Sequence, residues 1–262
     1  MNWKEMCEVP IVRIEGIEVP RVLIGSSPFI GAGQFGTRSA SYYKTFSNPE
    51  NIAKILVTAA DLGIPAAHII PAANVLEGVR IAEKETGITF YKSGSTLPDA
   101  KASIAELQQL GVEIVFIHGV ITDHMNIKTI QKIENQILDK EMIPGAAIHD
   151  VLPVLAWLKN HRENLTLKTI MMPFNYSGTF VGNLRKAQKL MKELKMNVFA
   201  MKPLAAGILP PEKAFRFVFK TKLINVAIFG VASEVEVQQS ITVVKNILKG
   251  QKNSKFKPFQ TF

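Results

Sequence analysis

Residues 112–161 read VEIVFIHGVITDHMNIKTIQKIENQILDKEMIPGAAIHDVLPVLAWLKNH, and this stretch decides the fold. VEIVFIHG (112–119) is a near-continuous apolar run of strand length, the pattern of a strand buried on both faces. NIKTIQKIENQILDKE (126–141) follows with Ile130, Ile133 and Ile137 at helical spacing. IPGAAIHD (143–150) and VLPVLAWLKNHR (151–162) repeat the pair. A strand, a helix and a second strand of this kind specify a parallel sheet with right-handed crossovers.

The same unit recurs outward in both directions. Upstream lie RVLIG (21–25), PAAHII (65–70) and ITFYK (88–92), followed by helical segments 48–63, 74–87 and 99–111. Asn48 is placed to cap the first of these, with Pro49 in its first turn and Gly63 at its end. Downstream lie LKTIMMPFN (167–175), NVFAMKPL (197–204) and INVAIFG (224–230), with helices over 182–195, 211–220 and 234–249. Eight strands and eight helices predict an α/β fold, a single (β/α)8 TIM barrel. A doubly wound open sheet is the alternative. GAGQFG (31–36) matches the glycine pattern of such folds, but it falls beyond the strand and opens no helix, which is weak support.

One domain is expected over 1–262. Residues 1–20, with IVRIEGIEVP, predict a β-hairpin under the barrel; 21–248 form the barrel, and 249–262 a basic tail. The loop FIGAGQFG (29–36) is either a lid over the site or a plug at one barrel end.

With 47% hydrophobic and 20% charged residues in 262, disorder is excluded. The single cysteine, Cys7, excludes a disulfide framework, an iron–sulfur cluster on the chain's own thiolates and a thiolate zinc site. No leader-like start and no apolar run of membrane length predict a soluble, cytoplasmic protein with no membrane partner. The net charge of +9 is spread over local clusters at 185–195, 215–222 and 249–259, and no nucleic-acid reading motif accompanies it. The expected partner is a small-molecule substrate, with no nucleic acid; the oligomeric state is left open.

In a (β/α)8 barrel the reactive groups stand at the C-terminal ends of the strands. Read that way, the sequence places Ser26, Ser27, His68, Asn74, Lys92, His118, Asp123, His149, Asp150, Asn175, Tyr176, Lys202, Gly230 and Ser233 around the mouth. Imidazole and ammonium groups there are costly unless paired or solvated in a cleft.

At these residues the chain resembles the aldo-keto reductase superfamily. VPRVLIGSSPF resembles its first barrel strand, and NIAKILVTAADLGIPAAH its first helix and second strand. ITFYK and VEIVFIHG resemble the strands of the catalytic lysine and histidine, and IPGAAIHD its fifth strand. MKPLAAGIL and IFGVASEVEVQQSI resemble the seventh strand and the cofactor-phosphate segment. The resemblance spans about residues 20–248. It implies reduction of a small carbonyl compound with NADP or NAD as cofactor. It also implies Lys92 and His118 as catalytic groups and Asn175, Lys202, Gly230, Val231 and Ser233 as cofactor contacts, with His149 and Tyr176 toward the substrate. The family's aspartate position is His68 here, which joins the candidate catalytic set, and its tyrosine position falls near Ala73 or Asn74, so both family groups are missing. The stacking tyrosine of many relatives is Met201.

Three other readings remain open on the same barrel. His68, His118 and His149 with Asp123 or Asp150 could share one metal for a hydrolase or lyase step. Lys92 or Lys202 could act as an amine nucleophile. The barrel could also hold a phosphate ligand without catalysis, since helix N-termini bind phosphate generically.

Overall fold

The computed structural model describes residues 1–252. Glu15 and Gly16 take positive φ (48° and 87°) and reverse the chain at IEGI. After a short α1 (Trp3–Met6), this turn pairs β1 (Ile11–Ile14) antiparallel with β2 (Ile17–Pro20). Val12, Ile14 and Val19 are buried, and the Trp3 ring meets Tyr91 edge-on at 5.5 Å. The Asn197 amide donates to Glu15 at 3.2 Å. Tyr91 and Asn197 both begin barrel strands, so the hairpin closes the N-terminal end of the barrel, as expected.

The barrel comprises β3 (Val22–Gly25), β4 (Ala66–Ile69), β5 (Tyr91–Ser95), β6 (Ile114–Ile117), β7 (Ile143–Ala147), β8 (Thr169–Pro173), β9 (Asn197–Met201) and β10 (Val226–Phe229). Neighbours in sequence are neighbours in space, all parallel, and β10 closes on β3. The helices are α2 (Arg38–Phe46), α3 (Pro49–Asp61), α4 (Ala73–Thr86), α5 (Ala100–Gln109), α6 (Gly119–Thr122), α7 (Ile127–Leu138), α8 (Val151–His161), α9 (Leu184–Leu194), α10 (Pro211–Lys220) and α11 (Glu234–Lys252). Asn48, Asp99, Asn126 and Asn183 each cap a helix by accepting a backbone N–H, worth about 1 kcal/mol apiece.

The strand interiors are buried throughout, and Phe116 and Phe199 meet across the barrel at 4.9 Å. Phe215 of α10 packs edge-on against Phe229 of β10 at 4.9 Å, tying the helix layer to the wall. No helix among the described residues is long and apolar enough to cross a membrane.

Three local features differ from the sequence reading. The third strand is YKSGS, not ITFYK, because Ser93 and Ser95 face a buried imidazole and Gly94 leaves room for Leu107, whose side chain would lie 2.6 Å from an added Cβ. RSASYYKTF (38–46), to which the sequence reading gave no helix, forms α2, although no side chain caps it and Phe46 is its one buried residue. The last helix runs on to Lys252, so the start of the basic tail is helical; the rest of that tail lies outside the described residues.

Candidate active site

Lys92 is the second residue of β5, well below the mouth. Its neighbours Tyr91 and Ser93 point inward, so its own side chain turns out to the helix layer. There it forms a buried ion pair with Glu83 of α4, and the same carboxylate accepts the Phe90 N–H at 2.8 Å. The catalytic assignment of Lys92 is therefore corrected: the strand runs three residues past it to Ser95, so Lys92 is not the strand-end group the sequence reading made it.

His68 also leaves the catalytic set. It is buried inside the barrel, with Nδ1 2.9 Å from the Ser93 hydroxyl and Nε2 3.0 Å from the Ser95 hydroxyl. Burial pushes its imidazole down to about 3, so the ring is neutral and both nitrogens are occupied. His68 does not converge with His118 and His149. Among the described residues no group of three His, Cys, Asp or Glu side chains could hold a metal ion, and the shared-metal reading is overturned.

A different cluster assembles at the mouth. His118 follows β6, where its Nδ1 accepts the Val120 N–H at 3.2 Å and caps α6. His149 follows β7, and its ring lies 5.9 Å from that of His118. Asp123, just after α6, accepts the His149 N–H at 3.0 Å and the Asp150 N–H at 3.3 Å, and pairs with His149 Nδ1 at 3.3 Å. Burial pushes the Asp123 carboxyl up, but these hydrogen bonds outweigh it and hold the group below the usual range. Burial and the neighbouring His149 push His118 down, opposed by Asp123. Gly119 makes the arrangement possible, since a Cβ there would stand 2.3 Å from the His149 ring.

Lys202 follows β9 with φ of 55°, a left-handed conformation that costs a lysine about 1 kcal/mol. Asn175 pins it: its amide donates to the Lys202 carbonyl at 3.2 Å and to Thr179 at 2.9 Å, while its oxygen accepts from the Ser177 hydroxyl at 2.7 Å. Asn175 thus has no amide group left for a cofactor and instead positions Lys202. The Lys202 ammonium lies 4.6 Å from the centre of the Phe180 ring. Burial lowers its pKa to about 8, against the opposing pull of Asp123, which places that carboxylate within electrostatic reach. Tyr176 turns away and packs edge-on against Phe217 of α10 at 6.4 Å, so its substrate assignment is not carried by the geometry.

Lys202 lines one lobe of a cleft, of about 50 Å³, with Gly25, Ser27, Gln34 and Met201. A second lobe, of about 160 Å³, is lined by Arg38, Tyr42, Val231, Ala232, Gln239 and Ser240. Phe35, Leu204, Ala206, Gly207 and Gly230 line both, so the lobes adjoin. The 28–46 segment forms one wall, anchored where Phe29 meets Phe46 at 4.9 Å and where Pro28 packs so closely on Gly230 that a Cβ would lie 2.6 Å away. The loop is thus neither a plug nor a detached lid. Arg38 bridges the cleft by donating to the Ala206 carbonyl at 2.5 Å.

The family resemblance seen in the sequence implies a nicotinamide dinucleotide, and the donor chemistry of the cleft is compatible with one. A guanidinium, an amide and two hydroxyls stand over apolar walls at the N-terminal end of α11. One further assigned contact is otherwise engaged: the exposed Ser233 accepts the Glu236 N–H at 3.2 Å, and Glu236 in turn accepts the Ala232 N–H at 2.8 Å. That carboxylate occupies the helix-end amide, so a phosphate in this lobe would be held by Arg38 and not by the helix end. Gly230 and Val231 do line the cleft. Arg38 and Gln239 carried no signal in the sequence, because the fold alone brings α2 against α11, whereas Tyr42 was readable as a tyrosine able to reach the mouth.

The comparisons agree with this architecture. No protein-family model and no curated protein matches the chain. An aldo-keto reductase from Bacillus halodurans, in its holo form, superposes with a TM-score of 0.57 at 12% identity, covering 96% of this chain and 92% of that one. Gox0644 in its apo form gives 0.65 at 9% identity, over 97% and 99%. The Amycolatopsis orientalis BexX/CysO complex gives 0.55 at 13% identity, over 96% and 99%. At these identities the likeness establishes the fold: a (β/α)8 barrel of the kind aldo-keto reductases use. The chemistry rests on the site itself.

Proposed function

We propose that the protein is an oxidoreductase of the aldo-keto reductase type that reduces a small carbonyl compound with NADPH or NADH. The observation that supports this reading is the pair of adjoining lobes that runs from Arg38 and Gln239 to Lys202. A nicotinamide bound along it supplies a hydride to the carbonyl carbon.

The chain's own groups then act on the oxygen. Lys202 donates a hydrogen bond to it and releases a proton as charge develops, which suits an ammonium with a pKa of about 8. Asn175 holds the lysine backbone, and Phe180 offers its ring face to the ammonium. His118 and the His149–Asp123 pair at the rim return the proton from solvent.

The test is cofactor oxidation with a panel of aldehydes and ketones, using wild type, Lys202→Met and Lys92→Met. Turnover should persist in Lys92→Met and fall by about 100-fold or more in Lys202→Met, the usual scale for losing an acid catalyst. Absence of turnover with both cofactors across the panel sinks the reading.

A further inference from the structure

We infer that the Lys202 amine also condenses with small aldehydes or ketones at the barrel mouth to form an imine, an activity that needs no hydride donor. Lys92, the other strand lysine, is excluded because it is turned outward and paired with Glu83. Lys202 is aimed by a backbone conformation that lysine rarely adopts, and two hydrogen bonds to its carbonyl hold it there, from Asn175 at 3.2 Å and from the Ala205 N–H at 3.0 Å. Retaining a strained residue under such constraint is a mark of a functional position. Lys202 lines the small lobe with Gly25, Ser27 and Phe229, and its ammonium lies 4.6 Å from the centre of the Phe180 ring.

The chemistry balances without a further reagent. The neutral amine attacks the carbonyl carbon, forming the C–N bond as the C=O π pair moves to oxygen. That oxygen leaves as water with both amine protons, and the C=N bond replaces it. Burial of Lys202, with its pKa near 8, makes the neutral amine on the order of 100-fold more abundant at neutral pH than for an ordinary lysine.

The experiment is reductive trapping. The full chain is incubated with propanal or benzaldehyde and sodium cyanoborohydride, without any nicotinamide, and adducts are mapped by peptide mass spectrometry. Lys202 should be labelled at least tenfold faster than the other lysines at pH 7, with a rate that rises through about pH 8. Lys202→Arg should lose that adduct alone. Labelling of Lys202 no faster than surface lysines overturns the inference, and because this comparison is internal to the wild-type chain it does not depend on how the variant folds. The reductase reading is separable. Fast labelling in a protein that binds no nicotinamide keeps the imine and removes the reductase, whereas slow labelling in a working reductase removes the imine alone.

Discussion

Lys92 and Glu83 form a buried ion pair behind the barrel wall, joining β5 to α4 on the side away from the mouth. The pair belongs to the scaffold. Removing the lysine leaves a half-buried carboxylate that still accepts the Phe90 N–H, which costs about 1–2 kcal/mol. Lys92→Met should therefore lower the urea midpoint at neutral pH while leaving ligand affinity at the cleft unchanged. A variant of wild-type stability but no activity would restore Lys92 to the chemistry.

His68 makes stability depend on pH. Its folded pKa is depressed to about 3 from an ordinary 6.5, so the unfolded chain binds the proton first. Stability is thus complete above pH 6.5 and is lost as pH falls toward 3, at up to about 1.4 kcal/mol per pH unit. Urea titrations between pH 7 and 5 should show this slope, and His68→Gln should flatten it. An equal slope in both proteins would contradict a neutral, buried ring.

Gly119 should tolerate no side chain. In Gly119→Ala the new methyl meets the His149 ring at 2.3 Å, so the ring must swing out and its bond to Asp123 is lost. Turnover should drop by about tenfold, within the range that proton-transfer groups contribute, while Lys202 remains in place and cofactor affinity is unchanged. Unaltered turnover would remove His149 from the proton path.

The barrel was legible because its strands are apolar runs and its helices carry caps and a wet face. PEKAFRFVFK forms a helix over Pro211–Lys220, and Asn48 caps α3 by accepting the Glu50 N–H at 3.0 Å. The site was less legible, for physical reasons. Ser93-Gly94-Ser95 has turn composition but lies in a strand, because its hydroxyls hold His68, and misplacing that strand sent Lys92 to the mouth. His118, His149 and Lys202 were readable as strand-end groups, yet the Asp123–His149 pairing depends on a four-residue helix that no periodicity announces. Arg38 looked like part of a loop. Its role arises from the docking of α2 across the cleft, which is a tertiary contact.

The central claim is that the ligand site is the cleft running from Arg38 to Lys202. Calorimetric titration of NADPH and NADH into wild type, Arg38→Ala and Lys92→Met tests it most directly. The account predicts micromolar binding of at least one of the two, weakened about tenfold or more in Arg38→Ala, as expected for loss of a charge-assisted contact to phosphate, and unchanged in Lys92→Met. No binding of either cofactor up to millimolar concentration, or binding indifferent to Arg38, would contradict it.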